Sequence, residues 1–148
     1  MYKRQKAILI RFAVVILLTA AAVAGMVNFR DWIIKSEAIK GMEIVGQAVL
    51  KHRQDAGSLP PESFIDLVLS EEGIVRIGKI VYRARWIDID STGDEILAYS
   101  EINLYSWLIS NGYVVLRLDG RVKWMDKPAF EQLLRSQQTP MEIKLSGQ

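Results

Sequence analysis

The chain has 148 residues, 50% of them hydrophobic, with a formal net charge of +2 and no cysteine. This length suits one modest domain, and the nearly balanced charge gives little support for a nucleic-acid-binding surface. The lack of cysteine excludes disulfides, thiol catalysis and thiolate metal sites.

A long apolar run lies near the start of the chain. From Phe12 to Val27 there is no charged residue, and Thr19 is the one polar residue. The run extends back to Ala7 if the Arg11 side chain reaches towards the membrane surface, which gives enough length to cross a bilayer. We therefore predict a transmembrane helix in this part of the chain.

The charges around this run predict its orientation. The residues at and before its start are basic: Lys3, Arg4, Lys6 and Arg11. After the run, Arg30 and Asp31 balance each other, so the positive-inside rule places the N-terminus in the cytoplasm and the rest of the chain outside. A cleaved signal peptide is the alternative, because a basic start, an apolar middle and the sequence Ala22-Val23-Ala24 before Gly25 also fit that pattern.

The helix is predicted to continue beyond the membrane. No proline occurs before Pro60, and apolar residues recur at helical spacing after the run: Ile34, Ala38, Met42, Val45 and Val49. A helix from about Ala7 to Ala56 would therefore need a packing partner for this stripe. Gly41 and Gly46 indicate either the close approach of another backbone or glycines that a packed helix tolerates.

A short packing helix opened by Pro60 and Pro61 follows, and the hydrophobic period then changes to two. This alternation predicts strands over 79–87 and 95–100. The segment 101–110 fits a helical turn, a strand or an apolar loop.

The stretch GYVVLRLDGRVKWM predicts a β-hairpin. A three-residue loop centred on Asp119 places Leu116 opposite Val122, whereas a two-residue loop would set long cations opposite leucines. The three-residue loop also places Val114 opposite Trp124, which makes one face apolar. The other face is predicted to be wet and carries Val115, Arg117, Arg121 and Lys123.

The last predicted element is a short helix from an Asp126 N-cap through Leu134, with Pro128 in its first turn. The predicted fold is α+β, with a long N-terminal helix, whose first half is transmembrane, packed on a small antiparallel β-sheet. The predicted segments are a cytoplasmic tail (1–6), a transmembrane segment (7–28), the extramembrane half of the long helix (29–57), an α+β domain (58–135) and a flexible tail (136–148).

One acidic loop could hold a cation. The sequence DIDSTGDE matches the first half of a calcium loop, with candidate oxygen ligands at Asp88, Asp90, Thr92 and Asp94. The second half departs, because Tyr99 stands where a bidentate glutamate is required, so an acidic loop between strands is the alternative. No catalytic residue, other cofactor site, nucleic-acid partner or small-molecule substrate is predicted.

The order of these parts resembles the type IV pilin-like proteins, including type II secretion pseudopilins and the pilin-like families of planctomycete and related bacteria. The resemblance covers the membrane-embedded start of a long helix and the phrases AVLKHRQDAGSLPPESFIDLV, EILAYS and NGYVVLRLDGRVKWM. In the planctomycete branch a histidine stands ten positions before the turn aspartate, where this chain has Ile109. The resemblance implies a pilin-like fold, a single pass through the bacterial inner membrane, a periplasmic or extracellular domain, and pilin-like or secretion-system partners bound through the N-terminal helix.

The N-terminus departs from the family's pattern. In QKAILIRF, Lys6 stands where prepilins have glycine, and Arg11 stands where they have glutamate. This predicts an uncleaved, anchored relative rather than a polymerising subunit. We therefore expect a non-enzymatic, membrane-anchored pilin-like or pseudopilin-like subunit or accessory protein of a type II secretion or type IV pilus-type system. The alternative is an anchored periplasmic binding module, with calcium as its candidate ligand, that does not polymerise; an enzyme is the third hypothesis.

Overall fold

The computed structural model describes residues 2–88 and 90–146. Its helices are α1 (Tyr2–Ala56), α2 (Glu62–Glu71), α3 (Lys127–Gln137) and α4 (Pro140–Ser146), with a short 3₁₀ helix over Ala84–Trp86. Its strands are β1 (Ile80–Tyr82), β2 (Ile96–Ile102), β3 (Gly112–Arg117) and β4 (Val122–Asp126), which form one antiparallel sheet in the order β1-β2-β3-β4. The predicted α+β class, a long N-terminal helix packed on a small antiparallel sheet, is confirmed.

Helix α1 is continuous over 55 residues, which corresponds to a length of about 80 Å. It ends at Ala56, and the next residue, Gly57, turns the chain with a positive φ of 71° while its N–H donates to the Arg53 carbonyl oxygen at 2.9 Å. Its side chains are exposed along the first half, whereas buried positions recur at helical spacing in the second half. The two halves therefore face different surroundings although the backbone does not break.

The second half of α1 packs on the sheet through the predicted apolar stripe. Ala38, Met42 and Val45 have no exposed surface, and they belong to one core cluster with Val114 and other residues of the sheet. Gly46 permits a close approach, because a Cβ there would lie 2.8 Å from Leu116 Cδ1 and 3.4 Å from the Gly120 carbonyl oxygen. Of the two interpretations of this glycine, the structure shows the close approach.

The β3–β4 hairpin has the predicted register. Leu116 pairs with Val122 and Val114 pairs with Trp124, so the three-residue turn is confirmed. Asp119 Oδ1 accepts a hydrogen bond from the Arg121 N–H at 2.9 Å, and Gly120 supplies a positive φ of 86°. Asp119 therefore shapes the turn.

The pKa of Asp119 predicts a pH dependence. Burial raises this pKa, but the hydrogen bonds and the charge of Arg121 outweigh burial and lower it below its usual 3.8. A lowered folded-state pKa means that the carboxylate stabilises the fold above the unfolded pKa and loses this effect as the pH falls through the folded pKa. We expect Asp119→Asn to reduce the drop in thermal unfolding temperature between neutral and acidic pH by no more than about 4 °C, because Arg121 is largely exposed and solvent screens the pair. If the unfolding temperature of the variant drops as much as that of the unchanged chain, the stated role of Asp119 is wrong. Asp126→Asn serves as the control.

The sheet face predicted to be wet is covered in its central part, so that prediction is wrong for Val115. This side chain has no exposed surface and packs with Tyr99 beneath Phe130 and Leu134 of α3. Helix α3 runs back across this face because its apolar positions are spaced for one side of a helix. At the hairpin end of this face, Arg121 is exposed as predicted, whereas Arg117 is partly buried.

The first predicted strand is shorter than its alternation indicates. Strand β1 stops at Tyr82, and Ala84–Trp86 forms a 3₁₀ helix. The break follows Arg83, whose N–H donates to the Leu97 carbonyl oxygen at 2.8 Å while its side chain turns into the protein. The alternating pattern could not predict this because the partner of Arg83 lies far along the chain.

The segment predicted as a flexible tail contains helix α4 in its described part. Its Glu142 is buried, and the Glu142 carboxylate pairs with Arg83 at 2.7 Å. Helix α3 also runs to Gln137, beyond the predicted Leu134, and its N-cap Asp126 makes no side-chain capping hydrogen bond. The ion pair with Arg83 holds α4 on the domain, which corrects the predicted tail.

Candidate functional site

The first half of α1 is an apolar surface that no other described element of the chain covers. The large side chains along it are exposed, including Ile10, Leu17 and Val23. Among the described residues, α1 is the one helix with the length and composition to span a membrane, and its most apolar window has a mean hydropathy of 2.5 with none of it buried. A signal sequence near an N-terminus has the same length and composition. These two properties therefore show that α1 can cross a bilayer, and they are shared by a span and a signal sequence.

The basic residues flank and enter this surface. Lys6 and Arg11 are both exposed on α1, and Arg11 stands one residue before Phe12 at the start of the uncharged run. A long arginine side chain near the end of an apolar helix can extend its guanidinium to the level of the lipid headgroups. Arg11 is therefore compatible with a span that begins close to Ala7.

One side of the apolar surface is shallowly concave. The hollow is bounded by larger side chains and floored by Thr19, Ala20 and Ala24. Ala20 and Ala24 are four positions apart, so they lie on the same side of the helix. Small residues four positions apart allow two membrane helices to approach closely, because they keep side-chain bulk away from the contact.

A buried carboxylate marks the end of the apolar surface. Asp31 has no exposed surface, and its Oδ2 accepts a hydrogen bond from the Ser106 N–H. The Ser106 Oγ in turn accepts from the Ile109 N–H at 3.0 Å, and the Arg30 guanidinium lies 5.6 Å from the centre of the Tyr105 ring. Asp31 thus ties the β2–β3 loop to α1 where the helix enters the domain.

Sequence reasoning missed this role of Asp31. The charge pattern indicated only that Arg30 and Asp31 balance each other, and segment 101–110 fitted three kinds of structure. The structure shows that β2 ends at Ile102 and that an irregular loop follows. Asp31 and Ser106 are 75 residues apart, so no local pattern could have linked them.

One of the predicted calcium ligands, Asp94, pairs with two arginine side chains. Asp94 Oδ1 accepts hydrogen bonds from Arg117 at 2.7 Å and from Arg121 at 2.8 Å. Asp88, by contrast, accepts through its backbone carbonyl from the Ser91 N–H at 3.0 Å. Within residues 2–88 and 90–146, no three His, Cys, Asp or Glu side chains form a set that could hold a metal ion.

Two guanidinium groups therefore share Asp94 Oδ1 as their acceptor. The loop also docks on the hairpin turn, where the Asp119 N–H donates to the Gly93 carbonyl oxygen at 3.1 Å. The geometry gives these residues a structural part, which is to clamp the β1–β2 connection to the β3–β4 turn. Calcium binding through Asp88, Asp90 and Thr92 stays a prediction, and the pairing of Asp94 does not favour it.

No protein-family model, curated protein or solved structure matches this chain. The architecture itself, a long N-terminal helix on a small antiparallel sheet, is compatible with a pilin-like fold. The exposed apolar half of α1 is therefore the feature of the described residues that bears most directly on function.

Proposed function

We propose that the protein is a non-enzymatic, single-pass, pilin-like or pseudopilin-like subunit or accessory protein of a type II secretion or type IV pilus-type system in the bacterial inner membrane. The observation that carries this proposal is the continuity of α1, whose exposed apolar half leads without a break into the half that forms the domain core. The N-terminus lies in the cytoplasm and the sheet lies on the opposite side.

The energetics of the apolar half support a membrane location. Each leucine, isoleucine, phenylalanine or valine near the centre of a spanning helix contributes roughly 0.3 to 0.6 kcal/mol to insertion. Such residues occupy most positions from Ile8 to Leu18, so together they outweigh one arginine that lies near the end of the span. An exposed apolar surface of this size in water would instead promote aggregation.

The partners are other pilin-like or secretion-system subunits that pack against α1 within the bilayer. The hollow floored by Thr19, Ala20 and Ala24 provides a face on which a second helix can approach closely. Arg11 favours a partner with an acidic side chain near the same membrane depth, because a charge in this region is stabilised by an opposite charge. An ordinary pilin-like subunit, with a glutamate at this position, meets that requirement.

Site-specific crosslinking in native membranes tests this proposal. We expect a photoreactive residue in place of Thr19 to give a discrete adduct with a pilin-like subunit, because this position faces the hollow. The same residue in place of Leu17, on the opposite side of the helix, serves as the matched control. Ala20→Leu should reduce the Thr19 adduct severalfold without changing thermal unfolding, since Ala20 lies in the hollow and its side chain is exposed. Recovery of the protein only as an uncrosslinked monomer would contradict the assembly proposal.

A further inference from the structure

The β2–β3 loop, residues 103–110, exposes large apolar side chains. Tyr105 is 78% exposed, Trp107 is 82% exposed and Leu108 is 65% exposed. Exposing several large apolar side chains together to water is unfavourable in free energy. Such clusters mark surfaces that contact a partner or a membrane. The loop is also held in place rather than extended away from the domain, because Asp31 accepts from the Ser106 N–H.

The position of this loop along α1 identifies its surroundings. Asp31 follows Phe29 by two residues, which is about 3 Å along the helix axis, so the loop lies level with the end of the apolar surface. Phe29 and Trp32 are exposed at the same level, and their rings stack with centres 6.1 Å apart. Aromatic side chains from the helix and from the loop therefore gather at one height, which is the height where the helix leaves the bilayer.

We propose that loop 103–110 is a second membrane contact, with Trp107 and Leu108 inserted into the boundary between headgroups and acyl chains of the outer leaflet. The inference rests on the proposed membrane span of α1. Tryptophan and tyrosine prefer this boundary because an apolar ring and a polar N–H or O–H suit its two sides. The Arg30 guanidinium beside Tyr105 is placed to meet lipid phosphates.

A bilayer fits this loop better than a protein partner does. The exposed loop is continuous with the apolar half of α1, so the medium that surrounds one reaches the other. A protein partner would have to displace lipid at the point where the helix emerges. Two contacts, the span and the loop, also set how α1 is rotated about its own axis, because a lone helix in a membrane could turn freely.

Tryptophan quenching in vesicles tests the inference on the full chain. The protein is reconstituted in phosphatidylcholine vesicles with bromine atoms at shallow or deep positions of the acyl chains. A variant that retains Trp107 as its one tryptophan carries Trp32→Phe, Trp86→Phe and Trp124→Phe. We expect its emission to be quenched severalfold more by shallow bromines than that of a matched variant that retains Trp86.

Trp86 is a suitable control because it lies at the distal end of the sheet. It follows Arg83, whose guanidinium donates to the Ile96 carbonyl oxygen, and Ile96 pairs with Arg117 beside the hairpin turn. That turn contacts Leu50 of α1, since a Cβ at Gly120 would overlap the Leu50 side chain. Leu50 lies about 28 Å along the axis from Asp31, far from the proposed boundary.

The outcomes separate this inference from the membrane span. Protein that floats with vesicles and shows quenching at Trp107 supports both. If it floats but Trp107 is quenched no more than Trp86, the loop contact is wrong and the span stands; protection of Trp107 from acrylamide in native membranes would then indicate a protein partner. Failure to float overturns both. If the triple variants do not fold, Trp107→Phe in the otherwise unchanged chain decides, because the inference requires the quenchable emission to fall.

Discussion

Glu142→Ala is expected to lower the free energy of unfolding by about 3–5 kcal/mol, because the substitution leaves the Arg83 guanidinium buried without its counter-ion. Arg83 is 2% exposed and Glu142 is 3% exposed. Their contact is bidentate, with Nε to Oε1 at 2.7 Å and Nη2 to Oε2 at 2.9 Å. A planar pairing of this kind is stronger than contact with a single oxygen.

The surroundings of Arg83 increase the expected loss. Its Nη1 donates to the Ile96 carbonyl oxygen at 2.8 Å and its Nη2 donates to the Gln137 carbonyl oxygen at 3.3 Å. The guanidinium thus joins β2, the end of α3 and α4 in one buried network. After Glu142→Ala the cation has to be hydrated, and opening the protein to admit water would detach α4 from the sheet.

Urea unfolding of the full chain in detergent micelles, followed by tryptophan emission, measures this effect. The matched control is Glu37→Ala, because the Glu37–Arg76 pair at 3.0 Å is largely exposed and should contribute about 0–1 kcal/mol. The double substitution Arg83→Met with Glu142→Leu should recover most of the stability, since it removes both charges. A loss for Glu142→Ala no larger than that for Glu37→Ala would contradict the buried network.

Gly120→Ala is expected to cost about 2–4 kcal/mol, since it combines a strained backbone with a clash. The φ of Gly120 is 86°, in the left-handed region that side chains disfavour. Its Cβ would overlap the Leu50 Cδ1 methyl group and would lie 3.2 Å from Leu50 Cγ. The Leu50 side chain would therefore have to change its conformation, or the hairpin would have to move away from α1.

Gly57→Ala is the matched control for this second substitution. Gly57 has a similar φ of 71°, but a Cβ there would meet no atom within 4 Å. It should therefore cost about 1–2 kcal/mol from backbone strain alone. The same urea titration measures both variants, and equal losses would show that the contact between the turn and Leu50 does not limit the packing.

The elements that the sequence predicts well are those set by neighbouring residues. The length of α1 follows from a proline-free stretch and from a stripe that includes Met42 and Val45, and both are visible locally. The hairpin register follows from the need to pair Leu116 with an apolar residue rather than a cation. The apolar half of α1, on which the proposed function rests, is likewise predicted by composition alone.

The features that the sequence could not predict depend on residues far apart in the chain. The alternating pattern predicts Arg83 at an outward position of a strand. The structure instead buries Arg83 in an ion pair with Glu142, which stands 59 residues later. Val115 reads as part of a wet face, yet α3 covers it. The loop after Ile102 has no regular hydrophobic period from which its position could be predicted. Its hydrogen bond to Asp31 shows at which level along α1 it lies.

Because the backbone of α1 is unbroken, a tilt at one end of the helix is transmitted to the other end. In the proposed membrane location, the part of α1 outside the bilayer runs from Asp31 to Ala56, is about 40 Å long and is held straight by the sheet packed along it. A tilt of about ten degrees at the membrane would displace the far end of the helix by about 7 Å. The proposed function therefore implies that a movement of the α1 N-terminal half is carried to the β3–β4 turn, which contacts Leu50 of α1.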